Sequence, residues 1–474
     1  MSAWEKRPMK YVYVILLGAC LNGSMPTGSA LAQFGGFGAP GAGTGGAGGG
    51  LANQFGGIVI DPEGILRDAP LKPMQASQAK RLRQQFAEER LSAELIVETP
   101  LRVFSLRNLE ADLLRLTSAG EPIPAELLLL GGIHRLEYVL FDAERNDILI
   151  AGPAEGFAPA MEGGRLVGLT SGRPPLLLED LLVALRANAQ GQTWLGCSID
   201  PTEENTARLQ RYIQANSTPV TPQVAGERYR QMGLVLGNQV VTVWGVPANS
   251  HFALTLVHAD YRMKRIALGT EPSGVRQVRS HLALLAAQGN SLQRWWFAPC
   301  YQPLETNTDH TLFRITGPRA QLLSQEEIAD TEGRRSDAAY TRRSTEKFAE
   351  LFTEHFEALC DVSPEFAALQ NLYDMALLAE LIQQRRVAAG ITWKPSLLLD
   401  ETRLPLTTYP VPKFVPSAAT HRKGARGVMV GLIGGVRIDS RAVANRIEVT
   451  SRLQREQFGV SDRGRVWWNA AALR

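Results

Sequence analysis

Residues 348–356 read Phe-Ala-Glu-Leu-Phe-Thr-Glu-His-Phe, and this stretch decides the local fold because three phenylalanines recur every four residues. The spacing places Phe348, Phe352 and Phe356 on one face of a helix. Ser363-Pro364 then interrupts the helix, since proline is tolerated only at the start of the next one. A second apolar series follows at Leu369, Leu372, Met375, Ala376 and Ala379. The pattern predicts a long antiparallel helical hairpin within residues 331–390.

Helices and strands alternate before this hairpin. The helix predicted at 203–214 has a clear start, because Asp200-Pro201-Thr202 supplies a capping residue before two glutamates. Alternation of this kind is typical of an α/β module, which we assign to residues 171–330. Its predicted elements are helix 178–187, strand 193–199, helix 203–214, strand 240–246, helix 250–260 and strand 264–269.

An N-terminal α+β module is predicted for residues 58–170. Ser105 is placed to cap a leucine-rich helix, and Gly120 is placed to end it. Two strands, at 133–141 and 147–151, follow around a polar turn.

The last segment, residues 391–474, is rich in proline, glycine and basic residues. An extended Pro-rich run covers 404–416, and strands are predicted around 428–438 and 447–453. The predicted fold class is therefore α+β with mixed α/β modules, followed by the helical hairpin and a Pro/Gly-rich, partly β tail.

The first 32 residues have the pattern of a signal peptide. Lys6, Arg7 and Lys10 precede a short apolar run, and Ala30-Leu31-Ala32 supplies a small-x-small cleavage pattern. The apolar run is about half the ~20 residues that a membrane-spanning helix needs, so no permanent span is expected. Leu17-Gly18-Ala19-Cys20 offers an alternative, because it resembles a lipobox and makes Cys20 a candidate for lipidation. Both alternatives predict export, to the periplasm, the cell surface or the medium.

Residues 33–57 contain 12 glycines in 25 residues and are predicted to be a flexible linker. Gly36 to Gly41 matches GxGxxG, but it follows no strand and opens no helix, so it is not a dinucleotide site. No motif for another cofactor is found, and none is predicted.

Charge and cysteine content exclude further classes. The chain has 50 Lys+Arg and 47 Asp+Glu, and removal of residues 1–32 leaves 47 and 46. The remaining net positive charge is too small to indicate a nucleic-acid-binding protein. Cys197, Cys300 and Cys360 remain in the exported chain, and three thiols allow at most one intramolecular disulfide. The sequence leaves its pairing open.

The densest polar cluster runs from Asn249 to Arg265 and supplies the candidate catalytic residues. These are His251, His258, Asp260, Tyr261 and Lys264. A shared metal is excluded because seven helical residues separate the two histidines by ~10.5 Å, whereas zinc needs each nitrogen at ~2.1 Å. Two interpretations remain: an ion-paired helix end, or a site in which Asp260 orients His258 or Tyr261 for acid–base chemistry while Lys264 assists electrostatically.

Tryptophans form a separate candidate site. Trp295-Trp296 and Trp467 either belong to the core or stack against sugars. A carbohydrate-binding role requires at least one exposed ring.

Around this polar cluster the chain resembles a family of exported planctomycete proteins that carry a domain of unknown function. The resemblance is expected to span roughly residues 58–386, and it implies export and a shared fold without any known reaction, ligand or catalytic residue. The matching strings are Gly245-Val-Pro247, His251-Phe-Ala253, Ala259-Asp-Tyr-Arg-Met-Lys264, Leu136-Glu-Tyr-Val139, Asn146-Asp-Ile-Leu-Ile-Ala-Gly-Pro153, Asp180-Leu-Leu182 and Ala184-Leu-Arg186.

Together these features predict an exported, non-catalytic protein that interacts with an envelope or surface protein or with a glycan. The second hypothesis is an extracytoplasmic hydrolase or transferase that uses the His251–Lys264 cluster. The third is a carbohydrate-binding protein.

Overall fold

The computed structural model describes residues 54–69, 75–160, 165–218, 222–285, 292–330, 332–417, 419–421, 428–430, 432–458 and 464–470. The predicted signal peptide with Cys20 and all but the last four residues of the predicted linker lie outside the described residues.

The strands of the described chain, in order, are β1 (Gln54–Phe55), β2 (Ile58–Ile60), β3 (Leu66–Asp68), β4 (Thr99–Ser105), β5 (Tyr138–Asp142), β6 (Asp147–Ala154), β7 (Phe157–Pro159), β8 (Leu166–Gly168), β9 (Leu195–Asp200), β10 (Asn238–Trp244), β11 (Leu292–Cys300), β12 (Leu304–Thr306), β13 (Leu312–Arg314), β14 (Arg319–Ala329), β15 (Arg335–Asp337), β16 (Phe414–Pro416), β17 (Ala419–His421), β18 (Val428–Val430), β19 (Leu432–Ile438), β20 (Ile447–Val449) and β21 (Trp467–Asn469).

The helices of the same residues are α1 (Ala76–Arg90), α2 (Ala93–Ile96), α3 (Leu106–Ala119), α4 (Ala125–Leu128), α5 (Leu178–Ala189), α6 (Glu203–Ala215), α7 (Pro222–Leu236), α8 (His251–Leu268), α9 (His281–Leu284), α10 (Arg343–Glu354), α11 (Phe356–Val362), α12 (Pro364–Arg385), α13 (Ser396–Leu399) and α14 (Ser440–Ala444). The fold mixes helices with sheets, which agrees with the predicted α+β class.

Two seven-stranded sheets organise the molecule. Sheet 1 has the strand order β15-β14-β11-β19-β9-β10-β16, and sheet 2 has the order β20-β12-β13-β5-β6-β4-β21. Neighbours are antiparallel except for β11 with β19 in sheet 1 and β12 with β20 in sheet 2. The tail supplies strands to both sheets, and whether the four predicted segments fold as separate units stays a prediction.

The main core lies between the sheets. Helix α12 is buried along almost its whole length and packs against α5, α8 and α14. It reaches both sheets, because Asp374 binds Arg319 of β14 and Arg385 lies 5.9 Å from the ring of Phe313 in β13. A smaller cluster covers the other face of sheet 2, where Trp468 and Phe458 pack on Leu140.

Local signals placed several helices correctly. Helix α3 begins after Ser105, whose hydroxyl accepts from the backbone N–H of Asn108 at 3.0 Å. It ends at Gly120, which adopts φ 66°. The predicted helix at 203–214 is confirmed as α6, capped by Thr202.

The predicted strand at 264–269 is wrong. These residues continue helix α8, which ends only where Gly269 adopts the left-handed φ of 72°. Met263, Ile266 and Ala267 are all buried at helical spacing, so tertiary packing carries the helix through the basic residues.

The segment predicted as a hairpin contains α10, α11 and α12. Phe348 and Phe352 of α10 are fully buried, and Phe352 meets Phe366 of α12 edge to face with ring centres 5.2 Å apart. Helix α10 also packs against β14. The phenylalanine face predicted from the sequence therefore covers one side of sheet 1.

Within the described residues, no helix is both long and apolar enough to cross a membrane.

Candidate functional site

Helix α8 holds all five candidate residues. Its first turn is fixed by Ser250, whose hydroxyl accepts from the backbone N–H of Ala253 at 3.2 Å. The helix packs against α5 and α12 on one side and against β9 and β19 of sheet 1 on the other. Because it is enclosed in this way, its polar side chains must find partners inside the protein.

His251 lies at the start of α8 and pairs with a carboxylate from α5. Its Nδ1 is 2.9 Å from Oδ1 and 3.1 Å from Oδ2 of Asp180. The ring of Tyr409 stands edge-on to His251 at 5.9 Å, and the Tyr409 hydroxyl donates to Oε1 of Glu179 at 3.0 Å. These four residues, Glu179, Asp180, His251 and Tyr409, form what we call the His251 group.

Three residues of the His251 group have shifted pKa values, and burial, followed by the nearby Glu179 carboxyl, raises the pKa of the Tyr409 hydroxyl. Burial raises the pKa of Glu179 to about 7, although His251 opposes the shift. Burial alone would lower the pKa of His251, but the carboxylates of Asp180 and Glu179 outweigh it and the pKa is raised. The group therefore binds or releases protons near neutral pH, as acid–base sites do.

His258 lies two turns further along α8 in different surroundings. Arg165 Nη2 donates to its Nδ1 at 3.3 Å. Burial, followed by nearby Arg165 and Arg262, lowers the pKa of His258 to about 3 despite the opposing Glu365. Burial would raise the pKa of Glu365, but Arg165, His258 and Arg262 bring it to about 2. His258 is thus a neutral acceptor within an arginine–glutamate network.

Asp260 and Lys264 form a buried ion pair on the side of α8 that faces sheet 1. The Lys264 ammonium lies 2.8 Å from Asp260 Oδ2 and donates to the backbone carbonyl of Ile199 in β9 at 3.1 Å. Asp260 is completely buried and Lys264 nearly so. Burial raises the pKa of Asp260, although Lys264 opposes this. The pair ties the helix to the sheet.

Tyr261 faces a third direction and is half-buried. Its ring lies 5.3 Å from the guanidinium of Arg265, which pairs with Asp68 and, at 2.9 Å, with Glu271. Burial raises the pKa of the Tyr261 hydroxyl.

The structure therefore does not gather the five candidates into one arrangement. His251 and His258 are in separate groups, Asp260 pairs with Lys264 instead of orienting either of its proposed partners, and Tyr261 contacts Arg265. Whether any of them is catalytic stays a prediction.

Sequence reasoning missed the partners that define these groups. Asp180, Glu179, Tyr409, Arg165 and Glu365 lie far from α8 in the chain, with Asp180 71 residues from His251. Asp180 belongs to a string that carries the resemblance, but acidic residues are common in the first turn of a helix, so Glu179-Asp180 did not indicate a partner for His251.

The described residues offer neither a metal site nor a reactive thiol. In the part of the chain that the structure describes, no group of three His, Cys, Asp or Glu side chains is placed to hold a metal ion. Cys197, Cys300 and Cys360 are free thiols, and burial raises the pKa of each.

The tryptophan candidates differ in exposure. Trp295 is fully buried, and its indole N–H donates to the Thr345 carbonyl at 3.3 Å, so it does not meet the requirement for an exposed ring. Trp296 and Trp467 are half-buried, and each has an arginine near its ring, Arg294 at 5.2 Å and Arg102 at 4.9 Å.

Comparison with known proteins gives one match. Residues 197–281, a stretch that runs from β9 through α8 into α9, match the family described as protein of unknown function (DUF1598). No curated protein matches the chain, and no solved structure does. The match includes the Ala259–Lys264 string but is much narrower than the range 58–386 expected from the resemblance. Over residues 197–281 this protein is therefore similar to an uncharacterised domain of unknown function.

Proposed function

We propose that this protein is exported and acts without catalysis, as an interaction protein of the cell envelope or surface. The export part of the proposal rests on the sequence pattern of residues 1–32 and on the glycine-rich stretch after it. The interaction part rests on an open, aromatic face of sheet 1. We call this surface, which carries Trp194, Trp244 and Trp296, the tryptophan face, and it is the single observation that favours binding over the alternatives.

The tryptophan face is the side of sheet 1 opposite to α10, because Trp296 alternates along β11 with Trp295, which is buried against Thr345 of α10. Trp296 of β11 pairs with Leu323 of β14 on one side and with Gly435 of β19 on the other. The same row continues through Ser198 of β9 to Thr242 of β10. Strands lie about 4.8 Å apart, so the row from Trp296 to Thr242 spans roughly 14 Å. Leu323 is 36% exposed and Thr242 is exposed.

A second row adds two indoles and an arginine. Trp244 lies over Gly196, where an added Cβ would be 2.6 Å from Cζ2 of the indole. Trp194 is 46% exposed, and the guanidinium of Arg437 sits 3.4 Å from the centre of its ring. Aromatic and arginine side chains on an exposed surface are the residues that dominate binding energy at interfaces.

Three of the five candidate residues of α8 support a non-catalytic role. Asp260 and Lys264 neutralise each other, and His258 is held neutral beside arginines. These groups are engaged in holding α8 in place, which leaves the exposed face as the better candidate for function.

The test is capture of envelope material by the purified exported chain. Trp194→Ala and Trp296→Ala should each lower capture by tenfold or more, since a binding hot spot contributes about 2 kcal/mol or more. Tyr340→Ala is the matched control, because Tyr340 is 72% exposed and lies outside this face. Equal capture by all variants would refute the binding role, and recovery of the natural protein from cytosol with residues 1–32 attached would refute export.

Pretreatment of the envelope separates the two classes of partner. Protease digestion should abolish capture of a protein, whereas periodate oxidation should abolish capture of a glycan. A loss with periodate alone would favour the carbohydrate-binding hypothesis, with Trp296 as its ring.

A hydrolase or transferase is the second candidate, favoured by the 2.9 Å contact between His251 and Asp180. In that reaction His251 accepts or returns the proton, and Asp180 orients its ring. The test is turnover of chromogenic ester, phosphate and glycoside substrates. His251→Gln should abolish any turnover and His258→Gln should preserve it; equal activity in both variants would refute this role.

A further inference from the structure

A cavity of about 440 Å³ lies beside the start of α8 and apart from the five candidate residues. Its walls come from the end of α5, the loop at 245–250 and the tail segment at 405–408. This volume falls within the roughly 300–1,000 Å³ of small-molecule sites.

Arg186 of α5 lines this cavity and is 95% buried, with only 5% of its surface exposed. Its Nε donates to the Leu398 carbonyl at 3.0 Å, and its Nη2 donates to the carbonyls of Leu404 at 2.7 Å and Asp400 at 3.2 Å. The guanidinium is thereby held rigidly against the tail.

The remaining nitrogen of Arg186 is unsatisfied. Among the residues that the structure describes, Nη1 has no hydrogen-bond acceptor, and no carboxylate lies within 4.0 Å of the guanidinium. Two carboxylates, Glu401 at the cavity wall and Asp400 beside it, favour the charged form of Arg186, but only over a longer distance.

A buried cation without a carboxylate in direct contact is costly, and a buried N–H without an acceptor costs about 1–3 kcal/mol more. Backbone carbonyls satisfy two nitrogens of Arg186 but carry no net charge to balance it. An oxyanion in the cavity would supply the missing acceptor and a negative charge in direct contact with the guanidinium.

We propose that this cavity binds a small molecule that carries a carboxylate or phosphate group, with an oxygen of that group accepting a hydrogen bond from Nη1 of Arg186. Gln190, Gln192 and Asn249 at the walls provide neutral polar groups for the rest of the molecule. The site is independent of the tryptophan face, so either proposal can fail without the other.

The experiment is calorimetric titration of the full exported chain with two probes, sodium phosphate and sodium succinate, at constant ionic strength. Binding of phosphate alone, of succinate alone or of both supports the proposal and identifies the acceptor class. The absence of a heat signal from either probe up to about 10 mM would overturn the proposal. Titration to that concentration would detect even binding free energies of about −4 to −3 kcal/mol.

Exposed wall residues provide variants that should fold normally. Gln192→Glu adds a negative charge and should weaken binding of the active probe by about three- to tenfold, whereas Glu401→Gln removes one and should strengthen it by about threefold. Glu204→Gln is the matched control, since Glu204 is exposed and does not line the cavity.

Arg186→Met should abolish binding if the variant folds. If Arg186→Met does not fold, the two wall variants still test the proposal. Affinities of Gln192→Glu and Glu401→Gln that equal that of the control would show that the probe binds elsewhere and would overturn the proposal.

Discussion

The two parts of helix α8 differ in what burial does to their charged groups. In the middle, Asp260 and Lys264 are both buried and meet at 2.8 Å, so their charges cancel inside the protein. At the start, His251 lies beside Asp180 and Glu179, and the pKa of Glu179 is raised to about 7. The middle of the helix, the fixed part, is held to sheet 1 by this ion pair, whereas the start of the helix changes charge near neutral pH. The Ala259–Lys264 string, which lies within the matched residues 197–281, thus belongs mainly to the fixed part.

The largest expected effect comes from breaking the fixed pair. Lys264→Met leaves the Asp260 carboxylate buried without its cation, which should lower the free energy of unfolding by about 3–5 kcal/mol. Urea denaturation at pH 7 measures it. The double variant Asp260→Leu with Lys264→Met is the control, and it should recover most of the loss because no charge is left unpaired. A loss below about 1 kcal/mol in the single variant would remove the contrast between the two parts.

The second prediction concerns pH at the start of α8. Because the pKa of Glu179 is raised from 4.5 to about 7, the folded protein holds a proton that the unfolded chain releases. The raised pKa of His251 acts in the same direction, so the stability that these two groups contribute is greatest at low pH and falls as pH rises through neutrality.

Glu179→Gln removes the carboxyl part of this dependence while keeping an oxygen that accepts from Tyr409. The variant should exceed the natural protein in unfolding free energy by about 1–3 kcal/mol at pH 8 and match it at pH 5. Urea denaturation at both pH values measures this, with the exposed Glu204→Gln as control. Equal pH profiles for both proteins would show that Glu179 does not hold a proton.

The third prediction separates the two histidines by spectroscopy. In an NMR titration the imidazole of His251 should change protonation above pH 6.5, because its pKa is raised. That of His258 should stay neutral down to about pH 4, because its pKa is about 3. His251→Gln and His258→Gln assign the signals. A midpoint above pH 5 for His258 would contradict the burial beside Arg165.

The smallest effect is expected at Tyr261. Tyr261→Phe keeps the ring beside Arg265 and removes only a half-buried hydroxyl, so the unfolding free energy should change by no more than about 0.5 kcal/mol. Thermal or urea unfolding measures it. A loss above about 2 kcal/mol would mean that the hydroxyl has a structural role comparable to that of Lys264.

Local chemistry explains which parts of the fold could be predicted. Ser105 with Gly120, and Thr202 before its glutamates, mark helix ends within a few residues, and the structure follows them. The strand prediction at 264–269 was wrong because basic residues interrupt the apolar pattern there. The helical face becomes recognisable only from its packing against the sheet and α12.

The candidate site was less predictable because its contacts are non-local. His251 was identifiable as a polar residue at a helix start, but its partner Asp180 comes from another helix, and Tyr409 comes from the Pro-rich tail. Arg186 belongs to one of the strings that carry the resemblance, but nothing in the sequence indicated a binding role for it, since charged side chains are mostly exposed. Its buried position depends on the tail segment, whose backbone carbonyls accept its hydrogen bonds.

The edge of sheet 2 has a consequence for how the chain reaches its native state. Strand β21 pairs with β4, and Arg102 donates to Asn469, a residue 367 positions away, at 2.8 Å. Contacts between such distant positions slow folding, because a very long loop must close before they contribute. Until residues 467–469 arrive, β4 presents an unsatisfied row of backbone groups to other molecules. The yield of refolding should therefore depend on protein concentration, with self-association competing against the docking of this last strand.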